Sequence, residues 1–266
     1  MARKRRGRGR TALITGASGG IGEALAAQFA AEGYDLILTA RSAPRLELLA
    51  SDLSSGHGVQ VMTVPLDLTR PEAAGELAQE TGRLGRHVDV LVNNAGYGLL
   101  GPFVSLSHDD QLAMVDVNVR VLTDLTRTFL PLMIGQGSGG VLNISSTAAF
   151  QPGPDMAVYY AGKAYVLSLS EALNAELKGT GVHVTCVCPG PVITGFQERS
   201  GVGGANLLKL MPVMSAAKVA KKAVRAFHAR RAVIIPGFVN WFMAKSVALT
   251  PRFVLLPLVR FMHRGD

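Results

Sequence analysis

Thr15-Gly16-Ala17-Ser18-Gly19-Gly20-Ile21-Gly22 decides the fold of this chain. It follows directly on Thr11-Ala12-Leu13-Ile14, a short apolar run that reads as a buried strand. Beyond it, Ile21, Leu25 and Phe29 recur at helical spacing across Ile21 to Glu32. Strand, glycine-rich turn and helix in that order make a cradle for phosphate. Gly16 permits the tight turn. Gly20 and Gly22 remove side chains, so backbone can approach a pyrophosphate and the helix can pack on its strand. The helix N-terminus adds free N–H groups and the positive end of its dipole. Gly16, Ser18, Gly20, Ile21 and Gly22 are therefore the candidate ligands of a dinucleotide. The spacing is G-x-x-x-G-x-G, not the more widespread G-x-G-x-x-G.

The second strand, Asp35 to Ala40, ends at Arg41-Ser42. An NAD site places a carboxylate there to grip the ribose 2′-hydroxyl, and none is present. Arg41 instead suits a 2′-phosphate, which favours NADP. Asp67 closes the β-like run Val64-Pro65-Leu66 and has two readings, an adenine contact or an Asx turn. Asp89 to Gly96 is a buried strand ending in Asn93-Asn94-Ala95-Gly96, and strand C-terminal ends are where open α/β sheets bind ligands.

A further strand, Gly140 to Ile144, ends at Ser145-Ser146, and a helix-like stretch runs from about Val158 to Lys178. Tyr159 and Lys163 stand four apart on it and share a face. A free tyrosine titrates near pH ~10. A neighbouring ammonium favours the phenolate and is expected to draw that value down. Tyr159 would then exchange a proton with a carbonyl or alcohol oxygen that a serine hydroxyl holds.

With these motifs the chain resembles the short-chain dehydrogenase/reductase family, in its shorter single-domain branch, from about Thr11 to Ile235. The residues that carry the resemblance are Thr15 to Gly22, Asp67, Asn93 to Gly96, Asn118, Ser146, Tyr159, Lys163 and Pro189-Gly190-Pro191-Val192-Ile193-Thr194. The resemblance implies that Ser146 orients the substrate and that Ser145 is structural. It implies that Lys163 also binds the nicotinamide ribose and that Asn118 holds a water linking Lys163 to solvent. It further implies that Pro189, Val192 and Thr194 close over the nicotinamide, and that Asn94 lines the cofactor site. Many NADP-using members carry a basic residue where this chain has Gly19, so Arg41 is the main visible phosphate partner. Homodimers or homotetramers, built through helices near Ser107–Met133 and Val158–Lys178, are implied as well.

The expected fold is α/β, a Rossmann-type doubly wound, mostly parallel sheet of about seven strands with helices on both faces. Three segments are expected: a disordered basic arm over 1–10, a nucleotide-binding domain over 11–235 and an apolar helical extension over 236–266. Residues Gly195 to about Leu210 read as a mobile lid and Ser215 to about Arg230 as a further helix. The net charge is +8, but Met1–Arg10 holds six Lys and Arg and no acid, which leaves +2 for the remainder. Specific nucleic-acid recognition is not expected, because the arm lacks aromatics or a folded basic face. Cys186 and Cys188 are the only cysteines and are expected on opposite faces of a strand, with no disulfide and no metal site. That fits a reducing, cytoplasmic setting. His183 is expected on the strand surface.

Pro236 to Met262 is rich in Phe, Val, Leu and Met but is broken by Lys245, Pro251, Arg252, Pro257 and Arg260. Two amphipathic helices parted at Thr250-Pro251 fit better than a membrane span. Packing on the domain or a partner subunit is one reading. The other is a peripheral membrane patch, which the basic arm would strengthen if it lay nearby. The sequence thus points to an NADP(H)-dependent reductase of hydrophobic ketones or aldehydes. A membrane-peripheral 3-oxoacyl-type reductase and a non-catalytic NADP-sensing scaffold are the alternatives.

Overall fold

The computed structural model describes residues 6–201, 203–206 and 211–264. Residues 1–5 of the expected arm, 202 and 207–210 of the expected lid, and 265–266 of the extension lie outside the described residues. The strands are β1 (Thr11–Thr15), β2 (Asp35–Ala40), β3 (Val61–Pro65), β4 (Val90–Asn93), β5 (Gly139–Ile144), β6 (Val182–Val187), β7 (Val192–Ile193), β8 (Met214–Ser215) and β9 (Val233–Ile234). The main sheet has the order β3-β2-β1-β4-β5-β6-β9, and every pair in it is parallel. The short β7 and β8 pair separately. The helices are α1 (Gly20–Ala31), α2 (Ala43–His57), α3 (Ala73–Arg83), α4 (His108–Val115), α5 (Val121–Gln136), α6 (Ala157–Glu176), α7 (Phe196–Ser200), α8 (Ala216–His228), α9 (Phe238–Ser246) and α10 (Arg252–His263).

The central strands are apolar on both faces because helices cover both. Alternation along β1 shows the two layers: Ala12 and Ile14 pack with Leu25, Phe29 and Phe227 of α1 and α8, while Leu13 packs with Leu77, Leu125 and Phe129 of α3 and α5. Between β4, β5 and the helices beside them runs a buried polar chain. Asn93 Nδ2 donates to Thr126 Oγ1 (3.1 Å) and Asn143 Oδ1 (2.9 Å), and Asn143 Nδ2 donates to Ser170 Oγ of α6 (2.9 Å).

Four expectations need correction. The cysteines share a face, since residues two apart on a strand point the same way; their sulfurs are 3.8 Å apart in one buried cluster. His183 is tucked under α8, its Nε2 2.9 Å from the Phe227 carbonyl and its ring 4.5 Å from that of Phe227. The stretch Ser107–Met133 is not one regular helix, because Asp116–Arg120 forms a π-helical turn between α4 and α5. Residues Arg6–Arg10 of the arm form a packed turn, closed by Arg10 N–H on the Gly7 carbonyl (2.8 Å) with Gly7 against Tyr34. That turn leads into the N-terminal end of β1, opposite the strand ends that carry the glycine loop.

Candidate active site

The strand order reverses between β1 and β4, and the crevice where it does so is the site. Thr15 and Asn94 staple its two sides. Thr15 Oγ1 donates to the Val92 carbonyl and accepts from the Asn94 and Ala95 N–H groups (3.0 Å each). Asn94 Nδ2 donates to the carbonyls of Thr15 (2.9 Å) and Gly16 (3.2 Å). Asn94 therefore shapes the glycine loop through its amide. Gly16 has φ +64°, and a Cβ there would come within 2.9 Å of Ala95 Cα. A Cβ on Gly22 would lie 2.2 Å from the Gly16 carbonyl oxygen, so the loop folds back onto the first turn of α1 only without one. Gly19 precedes α1 with no side-chain cap, which leaves first-turn N–H groups facing the cleft. This cradle fits a pyrophosphate.

At the end of β2, Arg41, Ser42 and Arg45 line the same cleft. Arg45, on the first turn of α2, went unnoticed in the sequence. Asp67 forms the Asx turn of its second reading. Its Oδ1 accepts from Thr69 N–H and Oγ1 (3.0 Å each), an Asx turn, and the residue also lines the cleft. The Thr69 hydrogen bonds, with Arg41 and Arg70 nearby, hold its carboxyl below the usual range.

Lys163, Tyr159 and Ser146 converge at the other end. Ser145 Oγ donates to the Lys163 carbonyl (2.8 Å), a structural contact as expected. Ser146 Oγ accepts from Ala148 N–H (3.1 Å) and donates to the Pro189 carbonyl (3.5 Å). Lys163 Nζ is buried, donates to the Ile144 carbonyl (3.1 Å) and stands 5.7 Å from the centre of the Tyr159 ring. Burial pushes Tyr159 up to about 12 and Lys163 down to about 8. The expected lowering of Tyr159 by Lys163 is therefore absent: the ammonium faces the ring and a backbone carbonyl rather than the phenolic oxygen. Ser146 is the group that lowers Tyr159, and burial outweighs it.

Asn118 is buried in the π-helical turn, and Tyr97 holds both ends of its amide: Oδ1 accepts from Tyr97 N–H (3.2 Å) and Nδ2 donates to the Tyr97 carbonyl (2.8 Å). A Cβ on Gly96 would meet Asn118 Oδ1 at 2.5 Å and Lys163 Nζ at 3.3 Å, so Asn118 stands beside Lys163. Its side chain clamps the Gly96-Tyr97 turn. On the far wall the Pro189 carbonyl accepts from Thr147 N–H (2.9 Å), Val192 is buried, and Thr194 lies across from Gly20. Thr194 Oγ1 accepts from Phe196 N–H (3.2 Å) at the start of α7. Gln197, missed in the sequence, ties this wall together through Thr194 N–H and the Val192 carbonyl.

The cleft measures about 1150 Å³, and its outer half is apolar. Met156, Met211, Met243, Leu255, Val259 and Met262 line that half, the last four from α9 and α10. A clasp fixes α10 there. His263 Nδ1 lies 2.7 Å from the Pro154 carbonyl and must donate to it, so Nε2 accepts from Tyr160 OH, also at 2.7 Å. Burial holds the imidazole pKa below its usual value, in keeping with this neutral form. Tyr160 is thus packing and pocket lining. Nothing in the sequence paired it with His263, 103 residues away.

A family model described as short chain dehydrogenase matches residues 10–202. Sulfoacetaldehyde reductase 2 of Chromohalobacter salexigens is 40% identical over 186 residues, covering 69% of this chain and 73% of that protein. A short-chain dehydrogenase from Sphingobium yanoikuyae, solved in complex with NADPH, superposes with a TM-score of 0.81 at 34% identity, covering 90% of this chain and 94% of that one. The bulky-bulky ketone specific alcohol dehydrogenase of Comamonas testosteroni gives 0.76 at 30% identity, with 90% and 92% covered. The doubly wound sheet, the glycine cradle at its switch point and the match over most of the sequence agree: the chain belongs to the short-chain dehydrogenase family.

Proposed function

We propose that this oxidoreductase uses NADP(H) to reduce a ketone or aldehyde group on a hydrophobic small molecule, or to oxidise the matching secondary alcohol, with Tyr159 as the acid/base. The observation that carries this reading is the convergence of Ser146, Tyr159 and Lys163 between the phosphate cradle and an apolar wall. NADPH supplies the hydride when bound. Arg41 and Arg45 bind its 2′-phosphate, the N–H groups of Ser18 to Gly22 its pyrophosphate, and Asp67 its adenine. Lys163 reaches the nicotinamide ribose, and Pro189, Val192 and Thr194 hold the carboxamide side. Tyr159, kept protonated at neutral pH by burial, donates to the substrate carbonyl oxygen, and Ser146 holds that oxygen. Asn118 acts through the Gly96-Tyr97 turn that borders Lys163. The NADPH complex and the bulky-ketone preference of the two similar structures support the cofactor and the substrate class. Exposed Leu112, Val115 and Leu132 on α4 and α5, with Tyr165 on α6, favour a homo-oligomer through those helices.

Titration with NADPH and NADH, followed by nicotinamide fluorescence, tests the reading. Preference for NADPH that Arg41→Asp abolishes is the expected result. Turnover of a bulky ketone that survives Tyr159→Phe undiminished would remove Tyr159 from the chemistry. A second reading, a membrane-peripheral enzyme of 3-oxoacyl type, is favoured by one observation, the outward apolar faces of α9 and α10.

A further inference from the structure

Residues 236–264 contain no aspartate or glutamate, while Lys245, Arg252, Arg260 and Arg264 are all basic. They lie beyond the 10–202 matched by the family model. The inner faces of α9 and α10 are accounted for: Ala244, Leu255, Val259 and Met262 are buried at the cleft. The outer faces are apolar too. Phe238 (77% exposed), Trp241 (45%) and Phe242 lie on the side of α9 away from Asn240 and Ala244. Leu249 (88%) follows at the bend, and Phe253 (79%) and Phe261 continue on α10. A surface helix on a water-facing protein carries polar residues on its outer side. One that is apolar on both sides meets a second apolar medium, and a patch of this extent marks a contact surface.

Charge decides what that medium is. Every ionic group on the outer faces is cationic: Lys245 beside Trp241 and Phe242, Arg252 beside Phe253, Arg260 beside Phe261. Among the described residues, only Arg260 of these finds an acid, Asp155 of the body, at 3.2 Å. A second copy docked face to face would set these cations against each other, with no carboxylate in the segment to answer them. An anionic lipid surface answers them and takes the aromatic rings at headgroup depth. No described helix is long and apolar enough to cross a membrane, so the pair would lie in the interface.

We propose that α9 and α10 form a docking surface for an anionic phospholipid bilayer, and that an apolar carbonyl substrate dissolved in it enters the cleft past the lip these helices make. The second clause rests on the reductase reading; the first does not. Leu258 shows the connection, being half exposed on α10 and part of the cleft wall. The basic arm contributes little through its described part, since Arg6–Arg10 leads into the opposite end of the sheet.

Trp241 is the only tryptophan and sits on the outer face, so its fluorescence reports docking directly. Full-length protein is mixed with vesicles of phosphatidylcholine alone or with added phosphatidylglycerol, some carrying brominated chains. Blue-shifted emission quenched by bromine, only with the anionic vesicles, is the expected outcome. Phe242→Ser with Phe253→Ser should weaken partition roughly tenfold. Lys245→Glu with Arg252→Glu should cost roughly fivefold per site and erase the preference for anionic lipid. NADPH affinity should stay unchanged in both, because these side chains point away from the cradle. Absence of vesicle binding, or binding that both double variants retain, overturns the docking. So does a blue shift that rises with protein concentration without lipid, together with a dimer mass lost in the phenylalanine variant. If docking holds but that variant reduces a vesicle-dissolved ketone and a water-soluble ketone equally well, substrate entry from the bilayer is wrong. Failure to bind NADPH would sink the reductase reading and leave the vesicle result standing.

Discussion

In the proposed reaction, Tyr159 and Lys163 divide the chemistry according to where their charges are tolerated. Burial keeps the phenol protonated, which suits a group that must give a proton to a carbonyl oxygen. The same burial brings Lys163 down to about 8, within reach of ordinary buffers. Its charge is present below that value and lost as pH rises through it. NADPH affinity of the free protein should therefore hold steady up to about pH 8 and weaken above, whereas Lys163→Met should bind weakly at every pH. Fluorescence titrations across this range check it; a flat wild-type profile would mean that Lys163 does not contribute its charge to the cofactor. Tyr159→Phe should lower kcat by about 10²- to 10⁴-fold and leave NADPH affinity intact, measured by single-turnover kinetics. At this scale the sequence was informative about which residues meet, because a four-residue helical spacing and strand-end positions are local. The direction of the Tyr159 shift was not legible, since it depends on which way Lys163 turns and on how much of the body covers the ring.

Among the elements, α10 depends on one contact that holds it to the rest of the wall. Tyr160→Phe would leave His263 Nε2 buried without a donor, at a cost of about 1–3 kcal/mol. Calorimetry should show Tm lowered by several degrees for a chain of this size. The KM for bulky ketones should rise while NADPH affinity stays put, because the clasp touches only the substrate half of the cleft. An unchanged Tm would show that α10 is held by its apolar contacts alone. The strands β1, β2, β4 and β5 and the helices α1, α6 and α8 were legible within a residue or two, as their periodicities are strong and the β1 and β2 runs are flanked by turns. The π-helical turn was not, because Asp116-Val117-Asn118-Val119-Arg120 has the same periodic pattern as a regular helix. What distinguishes it is tertiary: Arg120 reaches from it to Asp116, Asp124 and the Thr69, Arg70 and Pro71 carbonyls, which ties it to the loop after β3.

Taken whole, the molecule keeps its candidate binding surfaces at one end. The C-terminal ends of the strands, the phosphate cradle and the outward faces of α9 and α10 gather there, while the N-terminal turn packs on Tyr34 at the other. The doubly wound architecture was readable because alternating strand and helix patterns admit few arrangements. The buried Asn93, Asn143 and Ser170 chain was not, since its partners lie 50 and 27 residues apart in sequence. That chain fixes how α6 sits on β4 and β5, and hence where Tyr159 and Lys163 point. Asn93 Oδ1 is left without a partner in this set, and replacing both partners of a buried hydrogen bond with apolar groups of similar shape is often neutral or stabilising. Asn93→Val, Asn143→Val and Ser170→Ala together should keep or raise Tm while kcat falls about tenfold through lost orientation; unchanged kcat would show that the chain does not set the helix. Durability and turnover pull in opposite directions at these positions. Selection for heat resistance alone would enrich apolar residues there and return sturdier, slower enzymes.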